Sequence, residues 1–132
     1  MVHFARFLRH GSHIGGREIV GDGREAREIK NPYTGSPIGT IDLATPEDLD
    51  LAIETAGRVF RETMRSMPAH ERGRILRQTA DLLEAKSEVF AEILVQEAGK
   101  PIRDARAEVG RAVQVLRFAS EEAKQLGGDL VP

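Results

Sequence analysis

Apolar side chains recur along the chain with two different periods. Between Pro37 and Leu43 apolar and polar residues alternate, with Ile41 and Leu43 on one face, as expected of a half-buried strand. Upstream, His13 to Val20 predicts two short strand pieces around a Gly15-Gly16 turn, and Asp22-Gly23 marks a second turn. Glu25 to Lys30 alternates weakly and then meets the turn cluster Asn31-Pro32-Tyr33-Thr34-Gly35. Residues 12–43 therefore predict a small antiparallel ribbon of about three strands, too little to bury a core by itself.

From Thr45 onward the period becomes helical. Thr45 is a natural N-cap, Pro46 suits the first helical position, and Asp48 completes a capping pattern. Leu49, Ile53, Ala56 and Phe60 then form one stripe on a helix of about 20 residues. Ser66-Met67-Pro68 breaks it. A second helix carries Leu76, Ala80 and Leu83 and continues through Phe90, Ile93 and Leu94, with Gly99 placed to end it and Pro101 to begin the next. Ala105, Val109, Ala112, Leu116, Ala119 and Ala123 give the third helix an Ala-rich stripe suited to close packing, and Gly127-Gly128 ends it. The expected fold class is α+β, mostly helical: an N-terminal antiparallel β ribbon followed by three long helices.

Composition narrows the function. The chain has 132 residues, 30% charged and 40% hydrophobic, which fits one ordinary domain rather than a disordered tail. Nineteen Lys and Arg against 21 Asp and Glu leave a formal charge of −2, so nucleic acid is not an expected partner. There is no Cys, which removes disulfides, zinc-thiolate sites and thiol nucleophiles. No apolar stretch approaches the ~20 residues of a membrane span. Residues 1–13 read as a flexible basic N-terminus without the features of a secretory signal, so a cytoplasmic location is expected.

Candidate chemistry is sparse. Gly21-Asp22-Gly23-Arg24-Glu25-Ala26 matches a dinucleotide fingerprint in letters only, because strand-like sequence follows where a helix must begin. Gly99-Lys100-Pro101 lacks both the upstream Gly and the Ser or Thr of a phosphate loop. His3, His10 and His13 have no spacing that defines a metal geometry, and His70 stands alone near a helix start. The carboxylates are interleaved with Arg on helix faces, as in Glu54/Arg58 and Glu62/Arg65, which solvated faces explain. The residues by themselves show no catalytic and no cofactor-binding group.

Six pieces in order nevertheless resemble one family. They are Ile14-Gly15-Gly16-Arg17-Glu18; Ile29-Lys30-Asn31-Pro32-Tyr33-Thr34-Gly35-Ser36-Pro37-Ile38-Gly39; Thr45-Pro46-Glu47-Asp48-Leu49-Asp50 leading into Ala52 and Ala56; Glu71-Arg72-Gly73-Arg74-Ile75-Leu76; Gln96-Glu97-Ala98-Gly99-Lys100-Pro101; and Phe118-Ala119-Ser120-Glu121-Glu122-Ala123. From residue 14 to 132 the chain resembles the N-terminal segment of the NAD(P)-dependent aldehyde dehydrogenases. Its last piece looks most like the branch acting on lactaldehyde, glyceraldehyde phosphate or succinate semialdehyde.

The resemblance implies part of a larger α/β fold and an oxidation of aldehyde to carboxylate. In the family a Cys thiolate attacks the carbonyl, hydride passes to the nicotinamide, and a Glu activates the water that releases the acid. Those groups and the dinucleotide core are absent here, so the segment is expected to be inactive alone and to bind neither NAD nor NADP by itself. The rest of the enzyme or a homologous subunit is the implied partner. The resemblance also implies a monovalent cation held by the carbonyls of Ile29 and Lys30 together with Glu97, with at least one ligand missing. It further implies that Arg111, in Glu108-Val109-Gly110-Arg111, lies at the tunnel for an anionic aldehyde; an ordinary solvated Arg is the other reading. The alternative function is a non-enzymatic helical interaction module, such as a truncated product that binds a full-length relative.

Overall fold

The computed structural model describes residues 8–21 and 23–125. The described chain runs β1 (Leu8–His10), β2 (Ser12–Ile14), β3 (Arg17–Ile19), β4 (Ala26–Lys30), β5 (Pro37–Asp42), α1 (Pro46–Val59), a π-helical turn (Phe60–Met64), α2 (Ala69–Ala85), α3 (Ser87–Ala98) and α4 (Ile102–Glu122). It divides into two compact units. The first runs to Arg65 and includes Gln96–Gly99; the second comprises Ser66–Val95 and the chain from Lys100 onward.

In the first unit β4 and β5 pair antiparallel, as the alternation predicts, and β2 and β3 form the expected hairpin. Gly15 and Gly16 both have positive φ, 59° and 78°, which a tight hairpin turn demands. One strand departs from the predicted ribbon. β1 lies in the segment read as a basic terminus and pairs parallel to β5, so the sheet order is β1-β5-β4. Local alternation carries no signal for a parallel partner some thirty residues away, so only the folded chain reveals it.

The buried residue of β5 is Asp42 (2% exposed), while Ile41 remains exposed. Its carboxylate receives Arg9 Nε at 2.8 Å and the Gly21 N–H at 3.0 Å. Those two donors reverse the face that hydrophobicity alone would bury.

α1 begins as predicted. Thr45 Oγ1 accepts the Asp48 N–H at 3.3 Å, and Asp48 Oδ2 accepts the Thr45 N–H at 2.8 Å. Asp48 also takes both terminal nitrogens of Arg24, one of them at 3.0 Å. With Arg24 as the main cause and the Thr45 N–H next, its carboxyl falls from the ordinary 3.8 to about 2. The predicted apolar stripe of α1 is present but uncovered: Leu49 is 60% exposed and Ile53 63%.

The second unit is helical. The single long helix expected after Pro68 is two, because Lys86 leaves helical geometry (φ −112°, ψ 18°) and α3 restarts at Ser87. Ala91, Ala105 and Val109 form its core, with Leu83, Leu94 and Val95 packed against them. On α4 the buried line is Ala105, Val109, Val113 and Ser120, so the core face is rotated slightly from the Ala-rich stripe read in the sequence. Gly73 marks where this face meets α2. A Cβ there would stand 2.7 Å from the Ser120 carbonyl oxygen and 2.9 Å from Lys124 Cε, so α2 meets α4 backbone to backbone. Among the described residues no helix is long and apolar enough to cross a membrane.

Two outcomes follow from these contacts. Gly73→Ala is expected to lower the melting temperature, since overpacking of about 1–3 kcal/mol outweighs the ~1 kcal/mol of helix propensity gained. Gly110→Ala, whose Cβ would meet nothing within 4 Å, is expected to raise it in the same thermal melts. The lowered carboxyl of Asp48 contributes stability that is fully present above its unfolded value of 3.8 and is lost as pH falls through about 2. Acid unfolding followed by circular dichroism should therefore be shallower over that window in Asp48→Asn, from a lower starting stability.

Candidate functional site

The sequence-derived positions fall in two places, one in each unit. In the first unit, Ile29 and Lys30 end β4, where the register with β5 skips: Ile29 pairs with Gly39 and Lys30 with Pro37, leaving Ile38 as the extra residue. The next residue fixes a tight turn. Asn31 Oδ1 accepts the N–H groups of Tyr33 (2.9 Å) and Thr34 (3.0 Å), and the Asn31 carbonyl accepts the Gly35 N–H at 2.8 Å.

Glu97 sits in the last turn of α3. Two residues later Gly99 adopts φ 64°, and a Cβ there would stand 3.0 Å from Pro32 Cγ. The chain after Glu97 is thus brought against the turn that follows Ile29 and Lys30. The skipped register interrupts the regular ladder at Ile29 and Lys30, a setting in which backbone oxygens can serve a hard cation.

In the second unit, Arg111 lies exposed on α4. The other described arginines of α4 all meet carboxylates. Arg103 Nε is 3.2 Å from Asp104, Arg106 makes a two-nitrogen contact with Glu88 at 2.9–3.1 Å, and Arg117 reaches Glu84 at 2.6 Å. A hollow of about 260 Å³ is lined by Glu84, Ser87, Glu88, Arg106, Gly110, Val113 and Gln114. Arg111 is not part of that lining.

Among the ion pairs that the sequence does not signal, one lies next to Arg111 on α4. Lys100 Nζ donates to Glu108 Oε2 at 2.5 Å, and this contact, ahead of any other cause, holds the Glu108 carboxyl below the usual range. Seven residues separate the two, Pro101 among them, so the i,i+3 and i,i+4 rules could not have paired them.

The histidines behave differently from a metal cluster. His3 lies outside the described residues. Glu18 Oε1 is 2.8 Å from His10 Nδ1 and 3.8 Å from His13 Nε2, and it accepts the Gly11 N–H at 3.2 Å. The His10 bond and the Gly11 N–H keep Glu18 below its ordinary value. Among the described residues no group of three His, Cys, Asp or Glu is arranged to hold a metal. His70 is exposed, with Nε2 3.6 Å from Glu71.

Short strands followed by four helices recur in solved structures. The chain superposes on aldehyde dehydrogenase 21 from Physcomitrella patens, determined with the reaction product succinate, at a TM-score of 0.89 and 30% identity, covering 97% of this chain and 26% of that one. It superposes on succinate-semialdehyde dehydrogenase from Burkholderia pseudomallei at 0.86 and 35%, covering 96% and 26%. The 3-sulfolactaldehyde dehydrogenase of Priestia aryabhattai is 41% identical over 108 residues, 82% of this chain and 22% of that protein. The sequence profile of the aldehyde dehydrogenase family matches residues 19–132, and the chain belongs to that family. It spans between a fifth and about a quarter of the length of the relatives it matches.

Gly99→Ala tests the corner between α3 and the Asn31-Pro32 turn. Left-handed strain of about 1–2 kcal/mol and the 3.0 Å approach to Pro32 should together lower the denaturation midpoint. An unchanged midpoint would show that Gly99 is not held in that geometry.

Proposed function

We propose that this chain supplies the N-terminal portion of an NAD(P)-dependent aldehyde dehydrogenase, an oxidoreductase converting an aldehyde to a carboxylate. The observation that carries this reading is the family match over residues 19–132. The chain contains no Cys, so the thiolate that forms the covalent adduct, like the dinucleotide core, must come from residues outside these. The exposed apolar faces support the same division of labour. Leu49, Ile53 and Phe60 in the first unit, and Leu82, Val115 and Phe118 in the second, leave unpartnered surfaces that further protein would cover.

Within this reading, Arg111 provides a fixed positive charge for the anionic end of the substrate. Its exposure and the lack of a carboxylate partner among the described residues support that role. The family neighbours that act on 3-sulfolactaldehyde and succinate semialdehyde have substrates with an anionic group at the far end. The carbonyls of Ile29 and Lys30, with Glu97, would hold a monovalent cation that braces the corner at Gly99, once further ligands complete it.

The test is reconstitution. Purified alone, the chain should form no reduced nicotinamide from succinate semialdehyde. Joined to the remaining portion of the Burkholderia pseudomallei enzyme, it should restore turnover. In that assembly Arg111→Gln should raise KM for the anionic aldehyde about tenfold or more, as expected for a lost charge-assisted hydrogen bond. Its effect on a neutral aldehyde should be small. Turnover by the isolated chain would overturn the reading, and so would an assembly that folds yet stays inactive.

A further inference from the structure

The charge pattern of α4 contains one arginine left over. Arg103, Arg106 and Arg117 each have a carboxylate, and Arg111 has none among the described residues. On its own helix the positions one turn away are Ala107, Glu108, Gln114 and Val115, so Glu108 is the only anion within reach along α4. A Glu three residues before an Arg lies on the same helix face and within reach of it. Here Glu108 is taken by Lys100 at 2.5 Å.

The placement of Lys100 makes this informative. It stands just before Pro101 and the first turn of α4, where the helix dipole disfavours a cation. A lysine at that point is better accommodated when a carboxylate neutralises it, and Glu108 is the one it reaches.

We infer that Lys100 is a positioning residue for substrate charge: by holding Glu108, it keeps Arg111 unpaired and available to an anionic substrate group. The inference rests on the assignment of Arg111 made above and adds to it the device that leaves that side chain free. Without Lys100, Glu108 turns to Arg111, and the local charge offered to an anion falls from one positive unit toward zero. Consistent with their proximity, Arg111 already contributes to the lowered carboxyl of Glu108, behind Lys100.

The experiment measures how available the Arg111 guanidinium is, using the whole chain and no substrate. Phenylglyoxal modification of Arg111 is followed by peptide mass spectrometry, with the exposed Arg77 of α2 as internal reference. In Lys100→Met the Arg111 rate, relative to Arg77, should fall about twofold, the scale of a surface pair three residues apart. Lys100→Arg should retain the original rate, and Lys100→Met combined with Glu108→Gln should restore it. That rescue separates charge release from a structural effect, since the double variant lacks the same ion pair. Equal rates in the original chain and Lys100→Met overturn the inference, as does a slowed rate that the double variant fails to restore. Because no substrate enters the measurement, its failure leaves the Arg111 assignment standing. Conversely, an Arg111→Gln enzyme with unchanged KM removes that assignment whatever the modification rates show.

Discussion

Two carboxylates do in the strand-rich unit what apolar side chains do in most small folds. Asp42 and Asp48 are 2% and 6% exposed, and they are the residues of β5 and α1 that are buried. A buried carboxylate is tolerated only when donors surround it. Arg9 and the Gly21 N–H converge on one; Arg24 and the Thr45 N–H converge on the other. Each carboxylate thereby ties together segments distant in sequence. Asp42 fastens β1 and Gly21 to β5, and Asp48 fastens Arg24, just before β4, to the start of α1. A ribbon of short strands has too little apolar surface to hold itself, and these paired charges set where its segments lie.

The helical unit solves the same problem by different means. Its buried apolar residues are small: Ala80, Ala91, Ala105, Val109 and Val113. Small side chains let helices approach until backbones nearly touch, as at Gly73 and Ser120. Close packing recovers dispersion energy that bulky side chains would otherwise provide. Leu83, Leu94 and Val95 pack against this core, whereas several other large apolar residues stay exposed, Phe118 at 72%. A free-standing domain puts its Leu, Ile and Phe inside. Relatives are just under four times as long as this chain, and any further protein laid over these residues would stabilise both units.

How far the sequence disclosed this differs by level. The capping pattern Thr45-Pro46-x-Asp48, the Gly15-Gly16 hairpin, β4 and β5 were all legible because each is a local arrangement with its own residue signature. The parallel partner β1 was hidden, because nothing in Leu8-Arg9-His10 states what lies beside it. The break at Lys86 was hidden too: the apolar period runs through it, and no Gly or Pro marks it. Alternation put Ile41 and Leu43 forward as the packed face, whereas the donors that bury Asp42 come from Arg9 and Gly21, whose proximity exists only after folding. The family motifs brought Ile29, Lys30, Glu97 and Arg111 into view. Periodicity alone would not have distinguished any of the four from ordinary turn and surface positions.

The same contrast explains why charge, at 30% of residues, carries so much of the organisation here. Exposed ion pairs contribute little to stability one at a time. They do decide which charges remain uncompensated. On α4 three arginines are engaged by Asp104, Glu88 and Glu84, whereas the one carboxylate a helical turn from the fourth, Glu108, is paired with Lys100 from outside the helix. Folding loses almost nothing by leaving a solvated guanidinium alone, because water satisfies it. Such a group becomes strong only when other protein closes over it and lowers the local dielectric. An unmatched cation beside exposed apolar surface therefore exerts little force while water surrounds it, and would exert more only under a covering of protein.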